Sequence, residues 1–174
     1  MDSGQKNILK YLRRTKDMVL SYGGDEQLVV NGYTDASWNT DPYDSKSQSG
    51  YIFTLNGASM SWRSAKQSVV ARSATESEYI AASEASQEAI WMKEFITELG
   101  VVPGALDPMS IYCDNMGAIA SAQEPRSHKK LKHIKLCFRA IREHVQDGDI
   151  KICKVHIDLN VEDPLTKPLP RAKT

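Results

Sequence analysis

Asn56-Gly57 stands between two β-rich runs, Gly50–Leu55 and Ala58–Arg63. Both residues tolerate a positive φ, which a two-residue hairpin demands, so the dipeptide pairs the two runs antiparallel. Upstream, Leu28–Trp38 reads as a further strand, apolar and β-branched at its start, with Tyr33 and Thr34 continuing it. A polar loop from Asn39 to Gln48, containing Asp41-Pro42, joins it to the hairpin. The first half of the chain is therefore expected to be a three-stranded antiparallel meander.

From Ser73 the periodicity changes. Ala81, Ala85, Ala89, Met92, Ile96 and Leu99 recur at spacings of three and four, which predicts one long helix with a buried stripe, ended by Gly100 and Pro103. A short strand, Met109–Cys113, stops at Asp114-Asn115, and a short helix over Gly117–Ala122 follows. Lys129–Asp147 reads as a helix with Leu131, Ile134, Phe138, Ile141 and Val145 inward. Asp147-Gly148-Asp149 turns it into a strand, Ile150–His156, and a last short helix runs from Asn160 or Val161 to near Pro168. Strands reached through helical crossovers run parallel to the first, so the expected architecture is α/β with a five-stranded mixed sheet. Before it, Lys6 to Ser21 suits an amphipathic helix running into an extended segment, closed by Gly23-Gly24.

At 174 residues the chain has room for one domain with a real core. No apolar run approaches the roughly 18 residues of a membrane span, which argues against a membrane protein. The N-terminus has no secretory pattern. Three scattered cysteines without a C-x-x-C suit reduced thiols in a cytoplasmic or nuclear setting. His133 and Cys137 share a helical face but have no companions at zinc spacing, and no nucleophile-elbow pattern accompanies the serines.

The chemistry lies in the acids. Asp35 sits where a buried strand leaves the core, and a carboxylate there is costly unless paired, hydrogen-bonded or bound to metal. Taken alone it reads as a strand-ending turn former, but Glu78, Asp114 and Asp163 follow at helix starts or strand ends. Four converging carboxylates would repel unless cations lay between them.

Four segments, Tyr33-Thr-Asp-Ala-Ser37, Ser73-Ala-Thr-Glu-Ser-Glu-Tyr79, Tyr112-Cys-Asp-Asn115 and Asn160-Val-Glu-Asp163 with Pro-Leu-Thr-Lys-Pro-Leu169, occur in this order. Lys66-Gln67, Glu88 with Trp91, and Lys132-His133-Ile134 accompany them. In these details the chain resembles the RNase H domain of Ty1/copia-type LTR retrotransposons, particularly plant ones, over nearly its whole length. The resemblance implies an RNase H-like fold and a metal-dependent endoribonuclease that cuts the RNA strand of RNA/DNA hybrids, beside a reverse transcriptase domain of the same polyprotein. It also implies that Asp35, Glu78, Asp114 and Asp163 hold two Mg²⁺ ions, for which Mn²⁺ can substitute. Two such ions about 3.5–4 Å apart generate the attacking water and stabilise the leaving oxygen. The setting implied is a cytoplasmic virus-like particle or the nucleus.

Within the resemblance, Glu78 is preferred over Glu76. The two point about 200° apart, from two residues at about 100° each, and Glu78 shares the side of Ala81 and Ala82. Glu76 is then expected to be a solvated first-turn charge. Pro164 suits a first helical turn, and Glu162, where the family usually has alanine, is expected to face solvent. His156 is a candidate catalytic helper by analogy with a loop histidine of cellular RNases H. Its seven-residue separation from Asp163 is shorter than in those enzymes, and a surface histidine at a strand end is the alternative.

The formal net charge is zero, yet Arg126 to Arg142 carries seven basic residues and no acid. Lys129, Lys130, Lys132 and Arg139 are therefore candidates for phosphate contact. Ser37, Gln67, Ser73, Thr75 and Asn115 are candidates for reading a hybrid by backbone shape and 2′-hydroxyls, each with an equal claim as a cap or turn former, Ser73 above all. Residues 1–24 are expected to be the tail of a reverse-transcriptase connection region, 25–170 the RNase H-like domain, and 171–174 a loose tail. A non-catalytic module on the same fold, binding nucleic acid or a protein partner, is the rival class; Glu162 and the short span after His156 keep it open.

Overall fold

The computed structural model describes residues 3–22, 28–100, 107–123 and 135–167. Asn56 and Gly57 take φ of 49° and 82°, and the hairpin they close joins β2 (Gln48–Leu55) to β3 (Ala58–Lys66). β1 (Val30–Ser37) pairs antiparallel with β2 along its whole length, from Val30 opposite Leu55 to Ser37 opposite Gln48. β4 (Met109–Cys113) lies parallel to β1 on its other side, and β5 (Ile150–Lys154) parallel to β4. The order β3-β2-β1-β4-β5 is the five-stranded mixed sheet expected from sequence, with β1 central.

The long helix, α2 (Ala74–Leu99), packs on β1, β2 and β4. Its Ala82, Ala85, Ala89, Met92 and Ile96 are buried in one cluster with Phe53, Ile111, Ile150 and Ile152 of the sheet, and Ala81 is buried outside that cluster. Each large side chain so buried contributes roughly 1.5–3 kcal/mol. Leu99, expected in that stripe, is 53% exposed on the last turn. Ser73 caps the helix, its Oγ accepting from Glu76 N at 3.2 Å, and Gly100 ends it in the left-handed region.

α3 (Met116–Gln123) and α4 (Lys135–Gln146) pack on α2 and on one another. Ile141 is fully buried, as expected; the expected start of this helix, with Leu131 and Ile134, lies outside the described residues. β5 ends at Lys154 and not at His156. Val155 N still bonds Cys113 O, but His156 already begins a 3-10 turn over Ile157–Leu159. That turn delays the last helix, so α5 is the single turn Asp163–Thr166. At the other end, α1 (Ser3–Thr15) exposes Ile8, Leu9 and Leu12, and Tyr22 beyond it donates its hydroxyl to Ser59 O.

Candidate active site

Parallel pairing aligns Tyr33 of β1 with Tyr112 of β4, so both strands leave the sheet at the same edge. Asp35 is two residues beyond that pair, and Asp114 follows the last residue of β4. The stacked rings of Tyr33 and Tyr112, 5.2 Å apart, fix the register just inside the two acids. α2 begins over this edge and presents Glu78 from its second turn; α5 brings Asp163 against β1 and β2.

Asp35 is 1% exposed and Glu78 7%, while Asp114 and Asp163 are half-buried. Burial pushes the Glu78 carboxyl up to about 10, and the charges of Asp35 and Asp114 add to that. Asp114 is raised by the same causes, burial first and then Asp35, with Asp163 a smaller contributor. Asp35 thus acts on both Glu78 and Asp114, Asp114 acts on Glu78, and Asp163 acts on Asp114, as like charges gathered at one edge do. Among the described residues, Glu78 Oε2 is buried without a hydrogen-bond partner. One ligand atom each from Glu78, Cys113 and Asp114 lie within 4.8 Å of one another. An orphaned carboxylate oxygen beside further carboxylates fits a hard divalent cation. The neighbouring Cys113 thiol is pushed up to about 12, by burial and then by Glu78, so it sits there protonated.

α5 adds groups that reasoning from sequence does not single out. Thr166 Oγ1 donates to Asp35 Oδ2 at 2.5 Å. Lys167 Nζ lies 3.0 Å from Asp35 Oδ2 and 2.6 Å from Asp163 Oδ1. Burial opposes its charge, but the bonds to Asp163 and Asp35 win and hold the ammonium above its ordinary value. A signal is present in the sequence: Thr166 and Lys167 stand three and four residues after Asp163, one helical turn away.

Glu162 does not face solvent. It is fully buried, its Oε2 3.5 Å from Thr166 Oγ1 and its Oε1 against Gly50. Burial, with the charge of Asp35, pushes it up to about 9 despite Lys167. Glu76 is also buried and not solvated; its Oε2 accepts from Arg72 N at 2.9 Å, securing the chain's entry into α2. His156 is exposed, its Nδ1 accepting from Asp158 N at 3.3 Å and lying 3.4 Å from Asp158 Oδ2; no described bond ties it to the four acids.

The candidates for nucleic-acid contact divide. Gln67 is buried, and its amide donates to Ser49 Oγ and Ser77 O, tying β2 to α2. Ser73 is the helix cap already described, with Thr75 beside it, and Asn115 Oδ1 accepts from Ala118 N at the start of α3. Ser37 ends β1. Arg139 is exposed on α4 and paired with Glu143 at 2.7 Å, while Arg142 of the same basic run is buried, donating to Ser121 O. Lys129, Lys130 and Lys132 lie outside the described residues.

No family model matches the chain. Over 168 residues, 97% of its length, it is 42% identical to the retrovirus-related Pol polyprotein from transposon TNT 1-94 of Nicotiana tabacum. Over 166 residues, 95% of its length, it is 39% identical to that from transposon RE2 of Arabidopsis thaliana. The chain is homologous to the Pol polyproteins of plant Ty1/copia-type transposons. It spans 12% of the tobacco polyprotein and 11% of the Arabidopsis one, so the relationship is to one segment. Among solved structures it resembles LC11-RNase H1, isolated from compost, with a TM-score of 0.57 at 16% identity, covering 79% of this chain and 91% of that one. The same enzyme in complex with an RNA/DNA hybrid gives 0.53 at 17%, covering 78% and 92%. This transposon-related chain thus carries the ribonuclease H fold, with Asp35 and Asp114 at the ends of its adjoining parallel strands.

Proposed function

We propose that this chain is a metal-dependent endoribonuclease that cuts the RNA strand of RNA/DNA hybrids, working beside the reverse transcriptase of a retrotransposon polyprotein. The observation that carries the reading is the convergence of Asp35, Glu78, Asp114 and Asp163 at one edge of a ribonuclease H fold, with a buried oxygen of Glu78 left unpartnered. Homology to transposon Pol polyproteins and likeness to an enzyme solved with a hybrid support the substrate class.

In this reading the four acids hold two divalent cations, Mg²⁺ or Mn²⁺, which supply a nucleophilic water and neutralise the leaving oxygen. The chain's own contribution is rigidity. β1 and β4 fix Asp35 and Asp114 side by side, Gln67 ties α2 to the sheet beneath Glu78, and Thr166 sets the orientation of the Asp35 carboxylate. Ser37, Ser73, Thr75 and Asn115 cluster in sequence around these acids and would meet the hybrid through its backbone and 2′-hydroxyls. The basic segment around Lys129, Lys130 and Lys132 would hold phosphates. Residues 1–24 would be the tail of the preceding reverse-transcriptase connection. Among the described residues no helix is long and apolar enough to cross a membrane, in keeping with work in a virus-like particle or the nucleus.

The test is cleavage of a labelled RNA/DNA hybrid with Mg²⁺, Mn²⁺ or EDTA, alongside single-stranded and duplex RNA. Metal-dependent cutting of the hybrid's RNA strand alone is expected. Salt-sensitive hybrid binding without cutting would replace the enzyme with a binding module.

A further inference from the structure

We propose that Lys167 is a tethered cation that competes with a divalent ion for the Asp35–Asp163 side of the site, so that the two ion positions fill unequally. The inference rests on the ribonuclease reading above and concerns how its ions are admitted.

The two sides of the site are differently committed. On the α2 side, Glu78 Oε2 has no hydrogen-bond partner among the described residues, and a Glu78 carboxylate oxygen lies within 4.8 Å of ligand atoms of Cys113 and Asp114. On the α5 side, Asp163 Oδ1 and Asp35 Oδ2 already share one ammonium, at 2.6 and 3.0 Å, and Thr166 gives the same Asp35 oxygen a further hydrogen bond. An ion bridging Asp35 and Asp163 must take these oxygens from Lys167, whereas an ion between Glu78 and Asp114 need not. Charge-assisted bonds of this length are among the strong ones, so their loss weighs against entry.

Tethering strengthens the competition. Lys167 follows α5 directly and lies one turn from Asp163, so its ammonium stands at high effective concentration whatever the salt. It is not trapped, however: its side chain is 39% exposed, and a four-carbon stem can swing to solvent when displaced. The first ion is therefore expected on the α2 side, and the second, weaker one on the α5 side after Lys167 is expelled.

Mn²⁺ binding followed by the paramagnetic resonance of the free ion tests this, together with melting of the metal-free protein. Wild type should bind two ions unequally. Lys167→Met, which keeps the length but not the charge, should tighten the weaker ion roughly ten-fold, leave the tighter ion unchanged, and lower the metal-free melting temperature. Lys167→Arg should keep the inequality, and Lys167→Gln should act like Lys167→Met should the latter fold poorly. Two ions of equal affinity in wild type, or an unchanged or weakened second ion in both uncharged variants, would overturn the inference. Asp35→Asn separates this from the parent reading. If it binds Mn²⁺ as wild type does, the carboxylate site itself is wrong; if it loses binding while the Lys167 variants change nothing, only the competition fails.

Discussion

Glu162 fills the space that a side chain on Gly50 would need. A Cβ built on Gly50 would overlap Glu162 Oε1 and lie 3.2 Å from the Cβ of Leu165. Gly50 pairs with Asp35 across β2 and β1, so the missing side chain opens a seat for the α5 segment directly beside the buried aspartate. Gly50→Ala should therefore cost about 2 kcal/mol through overpacking. Glu162→Ala should recover much of that loss, and a double-mutant cycle in urea should show coupling of about 1 kcal/mol or more. Additive losses would mean that the two residues do not compete for this volume.

Asp35→Asn should reduce Mg²⁺-dependent hybrid cleavage more than about a hundred-fold, because it removes one of the four carboxylates that the proposed site offers its ions. The fold should survive, since the amide keeps the shape and its oxygen can still accept from Thr166 Oγ1. A melting temperature within about 4 °C of wild type, with cleavage gone, is the expected pair of results.

Without metal, stability should fall as the solution becomes more alkaline. Glu78 ionises near 4.5 when unfolded and at about 10 in the folded chain, because of burial first and then Asp35 and Asp114. Between those values the folded chain retains a proton that the unfolded chain has released, so rising pH favours unfolding throughout that window. Glu162, pushed up to about 9, acts in the same direction. Melting in EDTA should show this decline, and Glu78→Gln should flatten it in part. An unchanged slope would mean that Glu78 is ionised in the metal-free fold.

Replacing Lys129, Lys130 and Lys132 by alanine should weaken hybrid binding and make it less sensitive to salt. The logarithmic slope should fall by roughly 0.7–0.9 for each phosphate no longer neutralised. Hybrid affinity measured across salt concentrations decides this. Weaker binding with an unchanged slope would mean that these lysines do not touch phosphate.

The sheet is legible in the chain because its signals are local. Asn56-Gly57 sets a hairpin, Ser73 and Gly100 bound a helix, and the stripe from Ala81 to Ile96 faces one way by geometry alone. Glu162 and Glu76 defeat the same reasoning because an acid's burial depends on what the fold brings to it: for Glu162, a gap at Gly50 on a distant strand. Gln67 is legible as polar and near the site, but its two partners, Ser49 and Ser77, lie on different elements. Lys167 is the instructive omission. Its spacing from Asp163 is visible in the sequence, but its contact with Asp35 requires β1 and α5 to meet.

Asp35 and Glu78 ride on β1 and α2, and Asp114 directly follows β4, all elements packed into the core. Asp163 rides on a single turn, fastened by Asn160 Nδ2 to Thr34 O, Ser64 Oγ to Leu165 O, and the Thr166 and Lys167 contacts. A piece so small should open locally at far lower cost than global unfolding. Amide hydrogens of α5 should accordingly exchange while those of β1 stay protected. The site proposed for the metal ions would then be the first part of the fold to be lost, and a chain that is fully folded by every bulk measure can still lack its fourth carboxylate.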